Sequence, residues 1–74
     1  MIKAMEVDKT NERRIAGKGS YFRTVFVADG EADITDMNTE GSEYLNYPAG
    51  SAVICTGDKK LYMLNASENE YKEV

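Results

Sequence analysis

Tyr21-Phe22-Arg23-Thr24-Val25-Phe26-Val27-Ala28 is the stretch on which the fold of this 74-residue chain turns. β-Branched and aromatic residues fill it almost without a break, which predicts a strand. Alternate residues point to opposite faces, so Tyr21, Arg23, Val25 and Val27 share one side and Phe22, Thr24, Phe26 and Ala28 the other. Both sides are mostly apolar. Such a strand either sits at the centre of a sandwich or has one face in the core and the other against a neighbouring subunit. Downstream, Asp29-Gly30 marks a tight turn, because Gly accepts the positive φ of primed hairpin turns, and Ala32–Thr35 is expected to pair back as a short strand. Upstream, residues 8–19 (DKTNERRIAGKG) are polar and end in two glycines. They read as a loop, with one helical turn over 12–16 stopped by Gly17, and residues 1–7 as a short strand or adhesive arm.

Toward the carboxyl end, residues 36–43 form an acidic loop with little to bury. A corner follows at Pro48-Ala49-Gly50-Ser51, where Pro48 restricts φ and Gly50 permits a reversal. Residues 51–56 (SAVICT) and 60–64 (KLYML) flank Gly57-Asp58-Lys59 and predict a β-hairpin. A second turn at 65–69 leads to a last strand over 70–74, completing a three-stranded meander. The fold expected is all-β: a small single-domain sandwich or barrel-like meander of short antiparallel strands, with residues 1–19 as arm and loop and 20–74 as the β core. Its core is expected to include Val25, Val27, Val53, Ile54, Leu61 and Leu64, one of each adjacent pair being free to face an interface.

Leu, Ile, Val and Phe supply only 14 of the 74 residues, near the composition at which chains cease to fold alone. The short chain has one Cys and no His, which removes an intramolecular disulfide and disfavours structural zinc, so self-association is the remaining common device. The net charge of −4 disfavours nucleic acid as a partner. Charge is polarised: residues 1–28 carry net +3 and residues 29–74 net −7. No window approaches the ~20 apolar residues of a membrane span, and the first residues lack a secretory stretch, so synthesis in the cytoplasm is expected.

Catalytic patterns fare poorly. Serine or cysteine nucleophiles assisted by an imidazole are excluded without His. Cys55 lies in an apolar strand, where burial raises a thiol's pKa and blocks access. Gly17-Lys18-Gly19-Ser20 fails the phosphate-loop spacing. The acidic residues Asp29, Glu31, Asp33 and Asp36 do not have the full spacing of a helix-loop-helix calcium site, which needs a central Gly where Ile34 stands. No catalytic residue, metal ligand or cofactor is expected.

The segments Tyr47-Pro48-Ala49-Gly50-Ser51, Lys60-Leu61-Tyr62-Met63-Leu64-Asn65 and Tyr71-Lys72-Glu73-Val74, in that order and spacing, resemble a module of small β-rich structural proteins of tailed bacteriophages and prophages: capsid-decorating, head-fibre and tail-associated proteins. The resemblance covers about residues 44–74. It departs at Tyr71, where that pattern often has Trp, and at 66–70, which lacks the usual Gly. It implies a non-enzymatic virion protein that forms a homo-oligomer, a trimer being common among such proteins, and that meets other virion proteins such as the major capsid protein. On this reading Tyr21, Phe22, Phe26, Tyr47, Tyr62 and Tyr71 are the interface candidates, with Pro48 and Gly50 as the structural corner. The competing reading is a small SH3-like β-barrel adaptor that binds a partner protein through its aromatic face.

Overall fold

The computed structural model describes residues Met1–Val74. Half of them lie in strands and 15% in helix, so the chain is a small, mostly β domain. In chain order the elements are β1 (Lys3–Ile15), β2 (Gly19–Ala28), α1 (Glu31–Met37), a 3-10 turn over Glu43–Asn46, β3 (Ala52–Cys55), β4 (Lys60–Asn65) and β5 (Glu70–Glu73). The strands form one five-stranded sheet in sequence order. The carboxyl-terminal meander is present, with Val53 opposite Tyr62 and Leu64 opposite Tyr71 in antiparallel register. β2 and β3, however, run parallel, Phe26 lying beside Val53 and Ala28 beside Cys55. β1 and β5 end the sheet on opposite edges, so it does not close into the barrel of the adaptor reading, and no second sheet lies behind it.

Two local expectations are corrected. Ala32–Thr35 is helical, inside α1, and does not pair back with β2. Both edges of β2 are already taken, by β1 and by β3, and a parallel partner has to be reached through a crossover, for which a helix is the usual element. Glu31 and Asp33 in the first turn suit the helix dipole, and Ile34 and Met37, three apart, both reach the core. The second correction concerns residues 8–15, which belong to β1. They are polar because an edge strand at the end of a hairpin faces water on both sides. Gly17 and Gly19, with φ of +82° and +97°, form the hairpin turn; they do not stop a helix. Register shifts at Ala4/Glu6 and Asp8/Glu12 interrupt β1, and the Asp8 carboxylate accepts the Thr10 amide at 3.0 Å within the second of them.

α1 and the 3-10 turn cover one face of the sheet. Beneath them lies a core of Phe26, Ala28, Ile34, Met37, Leu45, Val53, Cys55, Tyr62, Leu64 and Tyr71. Of the six residues expected there, Val53 and Leu64 are buried, whereas Val25, Val27, Ile54 and Leu61 lie on the opposite face of the sheet. The place of α1 explains the exchange: it lies on the side of Phe26, Val53 and Tyr62, and their strand neighbours Val25, Val27, Ile54 and Leu61 alternate to the other.

Candidate interaction surface

The aromatic residues separate into two groups. Phe26, Tyr62 and Tyr71 are inside the single chain, at 3%, 9% and 3% exposure, so they hold the fold together and present no surface. Tyr21, Phe22 and Tyr47 are half-buried. Tyr47 stands edge-on to Phe26 and to Tyr21, with ring centres 5.1 Å apart in each case, and Tyr44 completes the cluster at 5.3 Å from Phe26. The Tyr71 hydroxyl donates to the Tyr44 carbonyl at 2.8 Å, and burial pushes its phenol pKa well above the ordinary range, with Tyr47 and Tyr44 adding to the effect. Burial likewise raises Tyr47, helped by the nearby Glu43 carboxylate.

The corner docks this cluster onto the sheet. Pro48 is buried, its carbonyl accepts the Ser51 amide at 3.1 Å, and Gly50 between them has φ +91°, the positive value required at the third position of such a turn. Gly50 is further tied to β4 by its amide, which donates to the Leu64 carbonyl at 3.2 Å. Ser51, fully buried, accepts the Thr24 amide at 3.3 Å.

No catalytic constellation is assembled. Cys55 is fully buried, and its thiol donates to the Asp58 carboxylate at 3.6 Å. Asp29 and Asp33 accept from the Met1 ammonium at 2.7 and 2.9 Å, a contact that holds the Asp33 carboxyl below the usual carboxylate range. No three His, Cys, Asp or Glu side chains converge as metal ligands. The largest cleft, about 540 Å³, is open to solvent beside the corner between Arg13, Tyr47, Pro48 and Asn69. Arg13 faces no carboxylate there; its guanidinium donates to the Leu45 carbonyl at 3.2 Å.

What distinguishes the molecule is the uncovered face of its sheet. Direct pairings carry one side across all five strands: Lys3 opposite Val27, Glu6 opposite Val25, Val25 beside Ala52, Val27 beside Ile54, Ile54 opposite Leu61, and Met63 opposite Lys72. Val74 extends the row, its amide donating to the Leu61 carbonyl at 2.9 Å. Ile54, Leu61, Met63 and Val74 are exposed at 36%, 42%, 41% and 75%. Residues 21–28 read as apolar on both faces, but Val25, Val27, Ile54 and Leu61 were expected in the core and Phe22 and Phe26 at the interface, so the two sides are exchanged. Compared with protein-family models, curated proteins and solved structures, the chain matches none.

Proposed function

We propose that this chain is a non-enzymatic structural protein of a bacteriophage or prophage particle, made in the host cytoplasm, which associates with copies of itself and attaches to the capsid or tail. The observation that carries the reading is the uncovered apolar side of the sheet: a contact surface, in a molecule whose titratable groups are spent on internal pairs and exposed charge. The resemblance of residues 44–74 to phage structural modules supports the virion setting, and the corner at Pro48–Ser51 gives that module its rigidity. Every buried side-chain nitrogen and oxygen has a hydrogen-bond partner, as suits a scaffold and not a site holding polar atoms ready for a substrate.

The test is composition of the particle. In cells that encode the chain, an epitope-tagged copy is followed through prophage induction and a density gradient. Co-migration with DNA-filled particles, resisting a moderate salt wash, is expected. Recovery only from the soluble fraction, while capsid protein is found in the particles, overturns the virion assignment.

A further inference from the structure

The uncovered sheet face combines three observations that together identify its occupant. The first is topology. All-parallel sheets are covered on both faces by their crossovers, and the single crossover of a mixed sheet supplies a layer on one face only. Here the β2–β3 pair is parallel, α1 covers one face, and no element covers the other, where Val25 and Val27 are half-buried and Ile54 is exposed. The second is area. Ile54, Leu61, Met63 and Val74 are each a third or more exposed, so the contiguous apolar patch is on the order of a few hundred Å², the size of surface patches that are often functional. A standard interface takes about 800 Å² from each partner, a little over half of it apolar, so this patch with its rim supplies what one modest interface needs.

The third observation is charge. The rim of the face, assigned by strand register, carries Lys3, Arg13, Arg23 and Lys72 against Glu6, Asp8 and Glu70, with Glu68 reaching Lys72 at 2.8 Å. It is neutral, although the chain as a whole carries −4. The surplus is on the covered side and its connecting segment, where residues 29–43 hold six carboxylates and no cation. A surface that is apolar at its centre and balanced at its edge meets a copy of itself without repulsion. The acidic helical side does not, so stacking ends at two layers.

We infer that two copies pack face to face through Val25, Val27, Ile54, Leu61, Met63 and Val74, giving a symmetric dimer with the sheets inside and the acidic helices outside. This deepens the self-association in the reading above and is independent of the virion. A face that contacts its own copy is isologous and closes at two. Because β3 is the middle strand of five, the two-fold axis passes near Ile54.

Light scattering and sedimentation over a dilution series test it. Twice the 8.3 kDa chain mass is expected at high concentration, giving way to monomer at low, with the dissociation constant changing less than about threefold between low and high salt because the rim is balanced. Leu61→Lys should raise that constant more than about tenfold, and Ile54→Thr, which keeps β propensity, should raise it while circular dichroism stays native. Under mild oxidation Ile54→Cys should link to its own copy, and Thr35→Cys on the exposed side of α1 should not. A folded monomer at every concentration overturns both the dimer and the self-association. An oligomer that Ile54→Thr and Leu61→Lys leave unchanged, or that weakens steeply with salt, overturns the face while self-association stands. A trimer overturns the two-fold contact. None of these results bears on whether the chain is found in particles.

Discussion

Asn38 closes the domain at its second edge, and removing its amide should cost more than any other surface-facing truncation. The residue follows α1, and its side chain reaches β5, 33 positions on. The Tyr71 amide donates to Asn38 Oδ1 at 2.6 Å, and Asn38 Nδ2 donates to the Tyr71 carbonyl at 3.0 Å. The side chain thus takes the place of a neighbouring strand at one residue of an edge that would otherwise be open. Asn38→Ala leaves the backbone undisturbed, since φ −90° and ψ 0° suit alanine, so the loss belongs to the amide. Two hydrogen bonds at ~1 kcal/mol each, plus incomplete solvation of the groups left behind, give about 2–3 kcal/mol. For a domain of this size that lowers Tm by roughly 10–20 °C. Asn38→Asp keeps the acceptor but turns a carboxylate oxygen toward the Tyr71 carbonyl, so it should lose nearly as much. The assay is chemical denaturation joined to amide hydrogen exchange at Tyr71. If Asn38→Ala lies within about 0.5 kcal/mol of the parent and the Tyr71 amide keeps its protection, the edge is held by something other than this side chain.

Four further outcomes follow from the packing. A Cβ on Gly57 would run into the Asp29 carbonyl oxygen, at the point where the Gly57 amide donates to that oxygen at 2.9 Å; Gly57→Ala should therefore cost about 2 kcal/mol or more in urea titrations, and a neutral result would show that the β2–β3 junction yields freely. Tyr71 has its phenol pKa raised by burial, so above pH 10 the unfolded chain gives up a proton that the folded chain keeps. Stability should fall there by up to about 1.4 kcal/mol per pH unit on account of this group, and Tyr71→Phe should remove that part of the slope. At the acid end, Asp8 is held below its ordinary 3.8 by the Thr10 hydroxyl first, then the Thr10 amide and Arg23. Its contribution is present above that value and disappears as pH falls through the lower native one, so Asp8→Asn should flatten the acid limb of a midpoint-versus-pH curve. Cys55, with no exposed surface, should react with a thiol reagent only as fast as the domain opens; prompt alkylation of the native protein would contradict its burial.

The sequence revealed strands where residues alternate against a core and concealed them where they do not. β2, β3 and β4 were legible because β-branched and aromatic residues crowd them beside glycine-bearing turns, and β5 because a polar turn over 65–69 precedes Tyr71. The second half of β1 was hidden, since residues 8–15 are held by backbone pairing with β2 and show water almost nothing but polar side chains. α1 was hidden for two reasons. Asp29-Gly30 imitates a hairpin turn, and seven residues with two core contacts, Ile34 and Met37, are too few for a helical period to emerge. The acidic segment 36–43 was expected to have little to bury, yet Met37 is fully buried and Asn38 spans to β5. Their signal was the three-residue spacing of Ile34 and Met37, visible only if the turn is doubted.

The exchange of core and surface between aromatic and aliphatic residues carries the most weight. Val25-Phe26-Val27, Val53-Ile54 and Leu61-Tyr62 are apolar on both faces, so alternation alone assigns neither side; only the place of α1 does. With α1 over Phe26, Val53 and Tyr62, the side left open consists of Val, Ile, Leu and Met. Tyrosine in a strand can expose its hydroxyl and still cover apolar surface, and Thr, Lys or Glu would serve a solvated sheet face without loss of the strand. Valine, isoleucine and leucine have no polar end to offer water, and each leaves exposed area worth ~25 cal/mol per Å² unrecovered. A sheet facing only solvent gains nothing by retaining them at six neighbouring positions, five across β2, β3 and β4 and one just after β5. A sheet that meets its own copy recovers that area on association, and the neutral rim around it lets the two copies approach.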